Sequence, residues 1–550
     1  MKRLFCNHCY ALLLSLLLLA PVTANEQKNV LFIMVDDLND YVGALGGHPQ
    51  VKTPNLDKLA ASGVSFTNAH TNVPVCSQSR SSMFTGVYPH DSRDFGWTPM
   101  HQQYVLKHNK TFLELFKDKG YKLYGTGKLL HNNIAKIWHD WGVPTRMNYG
   151  PHAYDGNNIT GHPSVPKPFR EINIVDGSFA PLSDVPTFDT NQPSKRPAGW
   201  GYPFAPFHYE NEDNRDLLPD EAHARWAINK LKDMATDKHS QPFFLGVGFV
   251  RPHTPLYAPK RYFDMYPLES IVLPDIKVND IEDTPFIRNY TKQHIGLSYF
   301  DALQASFDGD EEGLKRFLQA YLACITFMDD QVGLLLSALD ESPFADNTVV
   351  VLTSDHGWQM GEKDFLYKNS PWEESTRIPM FWRIPGVTKA NIKVEQAVSL
   401  IDIFPTFVEL FDLSPQHKKR DGAGTIGGYS LMPFLDDQSA SQWQGPDGAL
   451  TVMGAGITSP IKDVGVRFNK HVDWHIKIIT DLPKHYIWQQ TYTYRTKQWR
   501  YTVYKNGEEA LYDHANDPHE WTNLADHKDY QTIKAQLALS VKTLINKNYN

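Results

Sequence analysis

Asp36 and Asp37 stand side by side, and Asp355 is followed directly by His356. Together they offer three carboxylates and one imidazole, a set of hard oxygen donors with a single nitrogen. Such sets suit Ca2+ or Mg2+ better than Zn2+, although histidine is unusual among calcium ligands. Arg80, Lys128 and Lys368 add positive charge, while His131 and His253 are side chains that can move a proton near neutral pH. A divalent cation with further cations around it calls for an anion with several charged oxygens. Phosphate and sulfate esters are the natural candidates. Any one of these residues alone reads equally well as a helix cap, a solvated ion pair or a core histidine.

Cys76 raises a different question. Lys2 and Arg3, the apolar run Ala11–Ala20 and the small residues Val22–Ala24 form a secretory signal peptide over residues 1–24. Cleavage removes Cys6 and Cys9 and sends the mature chain to the periplasm or the exterior. No later stretch reads as long and apolar enough to span a membrane, so no membrane partner is expected after cleavage. Cys324 sits in LQAYLACITFMDDQVGLLLSAL, whose apolar spacing marks a buried helix. Cys76 is then a lone thiol in an oxidising compartment, which points to a chemical task, with a Cys76–Cys324 bridge left open.

The elements that must hold these residues follow from hydrophobic pattern. Val30–Val35 is a continuous apolar run that ends at Asp36 and Asp37, as a buried parallel strand would. Strand-like runs also precede Lys128 and His131, His253, and Asp355–His356. Between them lie helical patterns such as TPNLDKLAASG, with Gly63 as its stop, TFLELFKDKG, with Gly120, and LPDEAHARWAINKLKD. The alternation predicts an α/β fold with a large mixed, mostly parallel sheet flanked by helices. Ligands in such sheets bind beyond the carboxyl ends of the strands, where all four polar clusters fall. HIKIITD, IWQQTYTYRT and WRYTVYKNG, with a turn at Asn506-Gly507, predict an antiparallel sheet in a smaller C-terminal subdomain. The expected division is a catalytic domain over 25–438 and an α+β subdomain over 439–550. Residues from Trp138 to Asp220 lack periodicity and read as long recognition loops. Aromatics make up 12% of the chain, enough for core packing or for a sugar-stacking surface. A net charge of −8 without a basic run gives no support to nucleic-acid binding.

The stretches NVLFIMVDD, TPNLDKLAASGVSFTNAHTNVPVCSQSRSSMFTG, GKLLH, VGFVRPHTPLYAPKRYFDMYP, TSDHGWQMGEKDFLYKNSPWEESTRIPM, LIDIFPT and LYDHANDPHEWTNLA cover nearly the whole mature chain. In them the chain resembles the type I sulfatases of the alkaline-phosphatase-like superfamily, and is most similar to the iduronate-2-sulfatase-like branch. The resemblance implies that a formylglycine-generating enzyme oxidises Cys76 to formylglycine, whose hydrated form attacks sulfur and later expels sulfate. It implies Ca2+ bound by Asp36, Asp37, Asp355 and His356 together with the modified Cys76. Arg80 would hold the nucleophile, Lys128 and Lys368 would neutralise sulfate oxygens, His131 would act as base, and His253 would act as acid on the leaving alcohol. The implied substrate is a sulfated carbohydrate, of algal or glycosaminoglycan type. Arg251 and the segment Ala258–Tyr262 could add contacts to a uronic acid or a second sulfate, or form an ordinary solvated loop. Gln78 stands where the family signature Cys-x-Pro-x-Arg has proline. Two other readings are a phosphodiester or phosphonate hydrolase on the same scaffold, and a non-catalytic glycan-binding homologue.

Overall fold

The computed structural model describes residues 27–188, 193–237, 241–290, 294–309, 311–436, 442–454 and 484–546. The signal peptide and HIKIITD lie outside the described residues.

The central sheet contains β1 (Asn29–Val35), β2 (Val64–Phe66), β3 (Lys122–Gly127), β4 (Asp140–Trp141), β5 (Phe243–Phe249), β6 (Thr348–Ser354), β7 (Met380–Arg383) and β8 (Ile392–Val394). Their spatial order is β8-β2-β7-β6-β1-β5-β3-β4. β7 runs antiparallel to both its neighbours, and the remaining pairs are parallel. β1 is central because every residue of VLFIMV is apolar and both of its faces are covered. Leu31, Ile33 and Val35 enter one core, and Val30, Phe32 and Met34 enter the other. Each such side chain contributes roughly 1.5–3 kcal/mol by burial.

The first core is closed by α1 (Pro54–Ala61) and by two helices further along the chain, Pro219–Thr236 and Glu312–Asp340. The second is closed by α2 (Cys76–Thr85), α3 (Phe112–Asp118) and α4, here Ile403–Leu410. The helix Glu312–Asp340 departs from the sequence reading. By length and composition it could cross a membrane, yet 78% of its most apolar window is buried inside the protein. Cys324 lies within it, fully buried, and both Cys76 and Cys324 are free, so there is no bridge between them.

Helix ends follow local chemistry. Thr111 and Glu114 form a capping box at the start of α3, and Gly120 adopts φ +98 just past its end. Gly63 does not end α1 through a left-handed turn. A β-carbon there would lie 2.1 Å from the Trp382 carbonyl oxygen, so close packing on β7 explains the glycine.

The C-terminal sheet is an antiparallel meander of β9 (Gly448–Met453), β10 (Thr491–Thr496), β11 (Trp499–Val503) and β12 (Glu509–Asp513). Gly507, at φ +88, turns the chain from β11 to β12. Buried Arg500 on β11 pairs with Glu373 and Glu520 and donates to the Pro371 carbonyl at 2.9 Å and the Thr376 hydroxyl at 3.1 Å. The meander is thereby clamped to the loop that follows Lys368. The Trp138–Asp220 region is less of a surface than its sequence suggests: Trp138, Tyr154, Trp200, Tyr202 and Phe207 are buried.

Candidate active site

Parallel register brings the site together. Val35 is level with Phe249 on β5 and with Ser354 on β6, so Asp36, Val250 and Asp355 leave the sheet at one edge. Asp37 turns there with φ +60, its amide donating to Asp355 Oδ1 at 3.1 Å. Lys128 follows β3, and its amide donates to the Gly248 carbonyl at 3.0 Å. Gly248 is required by this approach, because a β-carbon would sit 2.3 Å from the Lys128 carbonyl. Cys76 opens α2, where the positive end of the helix faces the site. That helix is polar in sequence yet wholly buried, and its serines hydrogen-bond internally. Ser79 donates to the Asp355 carbonyl at 2.6 Å and Ser82 to the Val87 carbonyl at 2.9 Å.

Around the Cys76 sulfur lie His356 Nε2 at 3.2 Å, Lys368 Nζ at 3.3 Å and Asp37 Oδ1 at 3.8 Å. Lys368 Nζ is 2.9 Å from both Asp37 oxygens. Lys128 pairs with Asp36. Burial works against the charge of both lysines, but Asp37 and Asp36 respectively hold them protonated. Asp36 stays ionised well below the usual carboxylate range: burial opposes this, and Lys128 and Arg80 outweigh it. Burial pushes the Cys76 thiol up.

The histidines have defined tautomers. His253 Nδ1 lies 2.6 Å from the Thr254 carbonyl and His356 Nδ1 lies 3.0 Å from the Gly357 carbonyl, so both Nδ1 atoms donate. His253 Nε2 then faces Asp37 Oδ2 at 3.8 Å. His356 Nε2 lies 3.3 Å from Asp37 Oδ1 and 3.6 Å from Asp355 Oδ2. Two overlapping donor groups meet here, Asp36, Asp37, Cys76 and His253, and Asp37, Cys76, Asp355 and His356; each could hold a metal ion, and their carboxylate oxygens suit a hard divalent cation. His131 lies edge-on to Trp97, ring centroids 4.6 Å apart, with Nδ1 buried and unpartnered. Burial, then Lys128 and Arg80, depresses His131 to about 3, and burial, then Lys368 and Lys128, depresses His253 well below its ordinary value.

Two expected roles change. Arg80 donates to Asp355 Oδ2 at 2.9 Å, Asp36 Oδ1 at 2.8 Å, the Leu129 carbonyl at 2.8 Å and the Lys128 carbonyl. Its guanidinium is thus given over to the carboxylates and to the chain after β3, and not to the sulfur position. Arg251 is neither a solvated residue nor a free cation: it is buried and donates to the Tyr257 and His253 carbonyls, both at 3.1 Å. Sequence reasoning also passed over Tyr149, which touches both His253 and Lys128, and Asp220, whose carboxylate accepts the Val250 and Arg251 amides at 2.8 Å. Tyr149 lies in an aperiodic stretch, and Asp220 looks like an ordinary acidic residue of a first helical turn.

A family model described as Sulfatase matches residues 28–413. The chain belongs to the sulfatase family. A sulfatase of Formosa agariphila is 31% identical over 530 residues, covering 94% of this chain and 87% of its own. Iduronate 2-sulfatase of Homo sapiens is 30% identical over 419 residues, covering 75% of this chain and 69% of its own. Among solved structures, the phosphonate monoester hydrolase of Silicibacter pomeroyi superposes with a TM-score of 0.67 at 21% identity, covering 95% of this chain and 96% of that one. At that identity the likeness speaks for the fold, which is alkaline-phosphatase-like, while the sequence relatives and the family model make this sulfatase a sulfuric ester hydrolase.

Proposed function

We propose that this sulfatase hydrolyses an O-sulfate ester on a sulfated carbohydrate, with Cys76 acting as formylglycine. The observation that carries the reading is the meeting of the Cys76 sulfur with Lys368, His356 and Asp37, all of them buried. Cys76 Sγ marks the position of the nucleophilic oxygen. A Ca2+ ion held by Asp36, Asp37, Asp355 and His356, with the modified Cys76 as a further ligand, would supply charge stabilisation at that oxygen and at the sulfate. Lys128 and Lys368 bind sulfate oxygens. They are preorganised, since each is already fixed by a carboxylate, and so cost little reorganisation on binding. Arg80 keeps Asp36 and Asp355 apart and aimed.

His253 donates a proton from Nε2 to the leaving alcohol, and His131 takes the proton that lets sulfate depart. Both imidazoles are held neutral beside Lys128 and Lys368, and an arriving sulfate cancels part of that positive field. His253 thereby gains proton affinity only when substrate is bound. The sugar is supported by the iduronate 2-sulfatase relative. The export signal in the sequence is consistent with a periplasmic or secreted enzyme that meets such polymers outside the cytoplasm, and with maturation by a formylglycine-generating enzyme. The test is a matched pair of sugar sulfate and sugar phosphate, incubated with protein from a converting host. Sulfate release at a rate at least tenfold above phosphate release is expected. The reverse preference would favour the phosphoester reading, and retained sugar binding without release of either would favour a glycan-binding homologue.

A further inference from the structure

The imidazole of His253 is fixed by a single strong contact of its own, the Nδ1 hydrogen bond to the Thr254 carbonyl at 2.6 Å. One hydrogen bond leaves the ring free to tilt about it. Tyr149 removes that freedom: its ring lies against His253 with centroids 4.9 Å apart and planes at 59°. Lys128 Nζ sits 5.0 Å from the centroid of the same ring. Burial pushes the Tyr149 hydroxyl up to about 12 against the pull of nearby Lys128, so it stays a neutral phenol. The two loops are joined behind the ring, where Arg251 donates to the Gly150 carbonyl at 3.5 Å and to the His253 carbonyl at 3.1 Å. Tyr149 thus touches the group assigned to the leaving alcohol and a cation assigned to the sulfate.

We propose that Tyr149 is a positioning residue for departure of the sugar alcohol, its ring setting the tilt of His253 while lying against Lys128. The inference rests on His253 being the proton donor. As the sulfur–oxygen bond to the sugar breaks, the electron pair stays on the sugar oxygen, which takes the proton from His253 Nε2 as the sulfuryl group passes to the nucleophile. A mis-tilted imidazole delivers that proton poorly. A sugar alkoxide is a poor leaving group and needs the proton, whereas 4-nitrophenolate does not.

The experiment compares kcat on a sugar sulfate and on 4-nitrophenyl sulfate for Tyr149→Leu, Tyr149→Phe and His253→Ala, using the full converted chain. General acid catalysis contributes on the order of 10²–10⁴ in rate, so mispositioning in Tyr149→Leu should cost about 10–100-fold on the sugar sulfate. The loss on the nitrophenyl ester should stay within about threefold, KM should change little, and Tyr149→Phe should recover most of the sugar rate because the ring is kept. His253→Ala should show the same selectivity, but larger. Equal losses on both esters for Tyr149→Leu, or none, alongside a selective His253→Ala, would overturn the role of Tyr149 while leaving His253 as the acid. A His253→Ala variant without selectivity would remove the acid assignment and the proposal with it. If Tyr149→Leu fails to fold, Tyr149→Met in the same comparison decides.

Discussion

Arg80→Lys separates two accounts of the arginine that follows Cys76 by four positions. If the arginine grips the nucleophile, lysine should lower turnover and leave the carboxylate cluster intact. The structure argues otherwise, since the guanidinium donates to Asp36, Asp355 and the carbonyls of Lys128 and Leu129, all in a fully buried setting. A lysine ammonium keeps the charge but lacks the planar fork, so it cannot span both carboxylates and both carbonyls. Losing two of these hydrogen bonds to charged groups costs about 3–6 kcal/mol. That is comparable with roughly 3–5 kcal/mol for breaking a buried ion pair. Asp36 and Asp355 then lose their alignment, and outer-shell changes of this kind weaken metal binding by about 10–100-fold. Calorimetric Ca2+ titration and thermal unfolding of Arg80→Lys beside the parent provide the assay. The expected result is weaker Ca2+ binding by that factor, a melting point several degrees lower, and partial recovery of sulfate release at saturating Ca2+. A variant with parental Ca2+ affinity and melting point but no activity would refute the reasoning and return Arg80 to the nucleophile.

Asp220 should make stability fall between mildly acidic and neutral pH. Burial raises its carboxyl from 3.8 to about 6, so its contribution is complete below the unfolded value and lost as pH rises through 6, by about 3 kcal/mol. Urea midpoints at pH 4.5 and 7 should therefore differ less in Asp220→Asn than in the parent. Gly248→Ala should lower both yield and sulfate release by more than tenfold, because its β-carbon collides with the Lys128 carbonyl; circular dichroism and turnover check this. Arg500→Met should take one cationic partner from each of the buried Glu373, which keeps Arg495, and Glu520, which keeps His514, and cost about 3 kcal/mol, read from chemical denaturation.

Sequence pattern reached the central strands because β1, β5 and β6 are continuous apolar runs ending in polar residues, and parallel register then aligns their ends. It placed Asp36, Asp37, Lys128, Asp355 and His356 at the ends of strands β1, β3 and β6 for the same reason. It missed β2, β7 and β8, which are three or four residues long and take their place from pairing across the sheet rather than from any local signal. It read Gly63 as a helix stop because local propensity knows nothing of the Trp382 carbonyl packed against it. It gave Arg80 a partner four residues away on the helix, whereas the arginine's partners are brought in by chain 44 to 275 residues distant. Tyr149 was invisible for a related reason: an aromatic in an aperiodic loop acquires meaning only when that loop is folded back over β3 and β5. Gln78, which departs from the family signature, has both amide atoms buried without partners, and nothing in the structure explains why it stands there.

The most direct test of the central claim is the mass of the tryptic peptide Leu59–Arg80, measured with sulfate release on the same preparations, from hosts with and without a formylglycine-generating enzyme. The account predicts that the peptide loses mass by exchange of CH2SH for CHO only in the converting host, and that sulfate release rises in proportion to the converted fraction. Full sulfate release from protein carrying an intact Cys76 thiol would contradict it, as would complete conversion with no release.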